Sequence, residues 1–167
     1  MDTNEKTGSE EIQGLTESDK DIKYSELSRR DIRSLIFHIL YAYDAFDYQT
    51  SLESIVDNLN RGFDLDIPLN SEVVSVAKQV AEIRHDLDKT IERFLANWRL
   101  ERLGVSTRII LRISAWELLN TETPPTIVIN EAVELAKGFS EADAYKFING
   151  VLDEMAKKLS ELKEELK

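Results

Sequence analysis

Three arginines stand close together near residue 30, and their spacing raises the first chemical question. Arg29, Arg30 and Arg33 fall in the opening turns of a segment where Ile32, Leu35, Ile36, Ile39, Leu40, Tyr43 and Phe46 recur at helical spacing. A guanidinium offers a planar fork of donors suited to phosphate or carboxylate oxygens, so three at one helix end point to anion binding. At roughly 100° per residue, Arg30, Arg33, Phe37, Tyr41 and Asp44 share the side opposite the apolar stripe. Rings beside guanidinium groups suit single-stranded RNA, whose bases stack on the rings while the cations hold phosphates. A second reading competes for the same face. Another bundle packed over it makes Phe37 a core residue, which is the commoner fate of such a ring, and leaves the arginines to pair with Asp or Glu. If the face is open, Phe37 and Tyr41 are partner contacts.

Other chemistry finds little footing. The chain has no cysteine, which excludes disulfides, thiolate metal sites and thiol nucleophiles and fits a reducing cytoplasm. Its two histidines, His38 and His85, have no neighbouring nucleophile arrangement, and consecutive helical residues such as Arg84, His85 and Asp86 diverge too far to form a site. Asp64 and Asp66 lack the further oxygen ligands that a calcium loop needs. No catalytic residue, metal or cofactor is expected. Nor does any apolar run approach the roughly 20 residues of a membrane span.

The elements that position the arginines are all helical. Ser28 and Asp31 are a cap and a first-turn acid for helix one. Ser51 begins a second helix that should end before Gly62, and Asn70 or Ser71 begins a third. The pattern then continues inward through Leu87, Ile91, Phe94, Leu95 and Trp98, after a break near His85 and Asp86. Ser106 or Thr107 caps a helix apolar on much of its circumference, with Arg108, Arg112 and Glu117 on its outer side. Ile129, Val133 and Ala136 define the next helix. Gly138 is read as its left-handed stop and Ser140 as the cap of the helix that follows. Asn149-Gly150, costly inside a helix, suggests another backbone close by. The expected architecture is all-α, two packed antiparallel bundles of about seven helices, with no sheet and no repeat.

Charge weighs against a generic nucleic-acid binder. The formal net is −11, so any RNA site must be a local patch. Residues 1–22 carry seven acids against Lys6 and Lys20, a net of −5, which leaves −6 for the body. With few large apolar residues the tail, 1–24, is expected to be disordered. The helical domain should occupy 25–155, its bundles at about 28–84 and 86–155, with a helical extension over 156–167.

Several runs closely resemble the NusB family of bacterial transcription antitermination factors. The main ones are Ile129-Asn-Glu-Ala-Val-Glu-Leu-Ala-Lys-Gly-Phe139 and Tyr145-Lys-Phe-Ile-Asn-Gly-Val-Leu-Asp153. Trp98-Arg-Leu-Glu-Arg-Leu103 and Ile110-Leu-Arg-Ile-Ser-Ala-Trp-Glu-Leu-Leu119 agree, as does the arginine segment followed by Leu40-Tyr41. Asp31 within the arginine cluster, and the bulk of Ile32, Leu35 and Phe37, depart from the family pattern. The resemblance covers roughly residues 28 to 155.

What the resemblance implies is a non-enzymatic, cytoplasmic regulator of transcription. It pairs with the small-subunit ribosomal protein NusE and binds single-stranded boxA RNA. The pair then joins the RNA polymerase antitermination complex during ribosomal RNA synthesis. An acidic body suits a basic ribosomal protein, and a small arginine patch suits RNA. The resemblance places RNA contacts at Arg29, Arg30 and Arg33, and at Phe139, Asp143, Lys146 and Phe147 around the corner between the last two family runs. The alternative is a protein-interaction module, or a homodimer joined through the aromatic-basic face, with weak or lost RNA binding.

Overall fold

The computed structural model describes residues 24–167; the tail expected to be disordered lies outside the described residues, Tyr24 apart. Among the described residues there are eight α-helices, two 3₁₀ turns and no strand. The all-α expectation therefore holds, with one helix more than expected because the last one breaks at Lys158. The chain divides into two compact units at Gln79–Val80.

In the first unit, α1 (Arg29–Ala45) opens on a reciprocal capping box. The Asp31 N–H donates to Ser28 Oγ at 3.1 Å, and the Ser28 N–H donates to Asp31 Oδ2 at 3.2 Å. From Ile32 to Leu40 every residue but His38 is buried, so α1 is enclosed all round. Asp47 and Tyr48, both with positive φ, turn the chain towards α2 (Leu52–Phe63). That helix runs through Gly62 rather than ending before it. Its left-handed stop is Asp64 at φ 53°, and a Cβ on Gly62 would meet nothing. The Asn60 side chain ties down the following loop, accepting from the Ile67 N–H (2.8 Å) and donating to the Ile67 carbonyl (3.1 Å). Ser71 then caps α3 (Glu72–Glu82) through the Val74 N–H.

In the second unit, α4 (Arg84–Glu92) is shorter than the apolar pattern suggested. The chain leaves the helix after Glu92, Ala96 takes φ 53°, and Trp98 lies 58 % exposed instead of inward. Hydrophobic periodicity registers a ring at the right interval, but not that the helix has already ended. The next helix, α5 (Val105–Asn120), has Gly104 as its N-cap, not Ser106 or Thr107. Nine of its residues are buried, including Ile109, Ile110, Leu111 and Leu118. Each such side chain contributes about 1.5–3 kcal/mol on leaving water. Arg112 is not on an outer side. It is buried, its Nε and Nη2 donating to the two Asp88 carboxylate oxygens at 2.7 and 2.8 Å. Pro125 opens α6 (Pro125–Phe139), where its missing N–H costs nothing. The helices α7 (Ala144–Lys157) and α6 pack against each other and against α5. Finally α8 (Leu159–Glu165) buries Leu162, and its Glu165 pairs with Arg93 at 2.8 Å.

Candidate nucleic-acid interface

Each unit carries its own set of the expected contacts. In the first, α1 starts at Arg29, and its opening turn leaves Arg29 and Arg30 exposed. The Arg29 guanidinium is engaged by Glu72, two parallel bonds of 2.7 Å joining the groups. The bonds from Arg29, helped by the charges of Arg29 and Arg33, hold the Glu72 carboxyl below its usual range in spite of partial desolvation. Asp31 does not neutralise its arginine neighbours by contact; its carboxylate accepts from the Ser28 hydroxyl at 2.7 Å and from the Ser28 N–H. Arg33 departs from the expectation of an open cation, and Phe37 follows the core reading of its ring. Arg33 is only 8 % exposed and Phe37 only 2 %. Arg33 therefore offers no open guanidinium, and Phe37 is a packing residue, its ring edge-on to His38 at 5.3 Å, rather than a partner contact. Tyr41 does reach the surface, at 45 %.

In the second unit the corner lies later than Gly138–Ser140. Helix α6 includes Gly138 and closes when the Ser140 N–H donates to the Ala136 carbonyl. The left-handed residue is Asp143, at φ 67°, and it, not Ser140, immediately precedes α7. A carboxylate residue tolerates that conformation better than most side chains do. The corner is fastened to the start of α5 by Glu141. Its Oε2 accepts from the Thr107 hydroxyl at 3.3 Å, and its carboxylate fills the space that a Cβ on Gly104 would need. This placement also sets a negative charge at a helix N-terminus, where the dipole favours it.

The first turn of α7 thus brings Asp143, Lys146 and Phe147 together, with Phe139 across the corner at the end of α6. Asp143 makes no side-chain cap; it pairs loosely with Lys146 at 3.4 Å, both groups exposed. Phe139 and Phe147 are half-buried. The structure adds three residues that sequence reasoning did not assign. Lys137 and Lys146 place their ammonium groups 5.1 and 5.9 Å from the centre of the Tyr145 ring, a cation–π arrangement spanning the corner. Trp98 meets Phe147 edge to face, with ring centres 6.4 Å apart. Their signal was faint: Lys137 and Tyr145 belong to different helices, and Trp98 matched a helical period. Cations for phosphates, rings for bases and a carboxylate able to accept from a base amino group now occupy one end of α7. Among the described residues no group of His, Asp and Glu is placed to hold a metal ion.

Residues 30–157 match the model of the NusB family. The chain is 38 % identical over 130 residues to the transcription antitermination protein NusB of Staphylococcus carnosus, covering 77 % of this chain and 99 % of that protein. It is 37 % identical over 147 residues to the protein of the same name from Desulfovibrio desulfuricans, covering 82 % and 89 %. The solved structure of T. maritima NusB superposes with a TM-score of 0.67 at 29 % identity, covering 83 % of this chain and 97 % of that one. A family match across most of the residues, relatives 37 and 38 % identical over 89 and 99 % of their length, and a shared fold together mean that the chain belongs to the NusB family.

Proposed function

We propose that the protein is a transcription antitermination factor. In this reading it binds single-stranded boxA-type RNA together with the small-subunit ribosomal protein NusE, and acts with RNA polymerase during ribosomal RNA synthesis. It is a binding factor rather than an enzyme and works in the cytoplasm. The observation that carries the reading is the first turn of α7, where Asp143, Lys146 and Phe147 share one surface inside the family match. Lys146 takes a phosphate, Phe147 and Phe139 supply ring surface, and Asp143 accepts from a base. Arg29 and Arg30 on α1 add phosphate contacts; Arg33, being buried, acts through its charge at most. No helix among the described residues is long and apolar enough to cross a membrane.

A second reading is a protein-interaction module, or a homodimer, without RNA affinity. The burial of Arg33 and the commitment of Arg29 to Glu72 favour it. Fluorescence anisotropy separates the two. The probes are a boxA-type strand and a scrambled strand, with and without the ribosomal protein, at two salt concentrations. Selective, salt-sensitive binding that strengthens with the partner and weakens in Lys146→Ala and Arg30→Ala supports antitermination. Equal affinity for both strands, with the partner still bound, leaves the interaction module.

A further inference from the structure

Beside Phe147 the chain holds an indole out of its core. Leu95 and Leu100 are buried on either side of Trp98, and the Trp98 backbone N–H donates to the Leu95 carbonyl at 3.0 Å. The left-handed Ala96 turns the backbone between the anchors, and Arg99 continues extended at φ −95°, ψ 140°. A non-glycine residue in that region is strained, and such strain gathers at functional positions. The segment is thus tied down at both ends while its ring stays in water. Trp98 is the most exposed of the large aromatic side chains, and with Glu92, Arg99 and Glu101 it lines an open depression of about 290 Å³.

The lining selects a ligand chemistry. Two carboxylates repel a bare anion, but they accept from the amino and imino groups on the edge of a base. An arginine in the same wall suits the phosphate of that nucleotide, and an indole offers a stacking surface. A guanidinium of a basic protein also suits a ring between carboxylates. Arg99 opposes it, however, and the contact with Phe147 joins the depression to the α7 turn that carries Lys146. We infer that the depression takes one unpaired, amino-bearing base of a single-stranded RNA, stacked on Trp98 beside the base engaged by Phe147. The inference rests on the RNA-binding reading above.

The test uses the full chain, a boxA-type strand and an all-uridine strand of equal length. Stacking of about 1–3 kcal/mol means that Trp98→Ala should weaken the boxA-type strand about 5- to 150-fold, with Trp98→Phe close to wild type. The chain has two tryptophans, so Trp116→Phe leaves Trp98 as the sole indole, excited apart from the tyrosines at the red edge of the absorption band. Its fluorescence should be quenched strongly by the boxA-type strand and weakly by the all-uridine strand, which has no exocyclic amine. Wild-type affinity in Trp98→Ala, while Lys146→Ala still weakens binding, overturns the subsite and leaves the RNA reading standing. No RNA binding by the wild type removes both. Quenching of Trp98 by an oligoarginine peptide but not by RNA reassigns the depression to a cationic partner and overturns the proposal. Should Trp116→Phe not fold, the affinity ratio of Trp98→Ala to the otherwise native chain decides alone.

Discussion

Arg29 and Glu72, forty-three positions apart, face each other as fork and carboxylate with two bonds of 2.7 Å. Both side chains are about half exposed or more, at 64 % and 49 %. Water screens such a pair, so it contributes at most about 1 kcal/mol to stability. Its larger consequence is competitive, since a phosphate approaching Arg29 must displace Glu72. Glu72→Gln should therefore raise affinity for a boxA-type strand by up to about fivefold and lower stability by less than about 1 kcal/mol. Anisotropy titration and urea denaturation read the two effects separately; unchanged or weaker RNA binding in Glu72→Gln rules out the competition.

The Arg112–Asp88 pair has the same chemistry and the opposite setting. Its side chains are 10 % and 18 % exposed. Removing Arg112 strands the desolvated Asp88 carboxylate, so Arg112→Ala should cost about 3–5 kcal/mol. Replacing both with apolar residues of similar volume should recover most of that loss. A double-mutant cycle in urea measures it, and additive losses would mean that the pair does not act as a unit.

Acid should act on α1 before it acts on the surface pairs. Burial pushes the His38 imidazole down from its ordinary 6.5 to about 4. The folded protein thus refuses a proton that the unfolded chain accepts. The stability linked to His38 is complete above pH 6.5 and declines as pH falls towards 4, by about 3 kcal/mol in all. Glu72, held low by Arg29, loses its contribution only below its unfolded value of 4.5. The window from 4.5 to 6.5 therefore belongs to His38. Urea midpoints across pH 4.5–8 should fall towards acid in the wild type and stay flatter in His38→Gln.

Two glycines should respond to alanine with opposite signs. A Cβ on Gly150 meets nothing, and the residue is exposed within α7, so Gly150→Ala should stabilise by about 0.5–1 kcal/mol through helix propensity alone. That also corrects the expectation of a backbone packed against it within the chain. A Cβ on Gly104 meets the Glu141 carboxylate, which must swing away and give up its bond from Thr107. Gly104→Ala should cost about 1 kcal/mol. Thermal melts of the two variants should move in opposite directions.

Local signals were legible and distant ones were not. Ser28 and Asp31 lie three residues apart, so their mutual cap can be read from spacing, and so can the Ser51 cap. The apolar circumference of α5 marked it as buried. Arg112 was misread because its partner, Asp88, is twenty-four positions away and no periodicity reports a tertiary ion pair. Gly138 seemed the natural left-handed stop, yet α6 runs through it and Asp143 takes that conformation. Of the candidate interface, Asp143, Lys146 and Phe147 were named from the family resemblance. A core place for Phe37 was the commoner reading of its ring, but the burial of Arg33 depends on what surrounds α1, which one helix's residues do not state.

The fastening of Glu141 at Thr107 has a kinetic meaning. The corner before α7 is closed by backbone bonds from Ser140 to Ala136, Ala144 to Glu141 and Lys146 to Asp143. Its geometry is preorganised, and a strand arriving at α7 meets side chains that have no loop to fold first. Association at that turn should then be a single diffusional phase, with its rate set by ionic strength and without a slow conformational step. Differences in affinity among variants of the turn should appear in how long the strand stays, not in how fast it arrives.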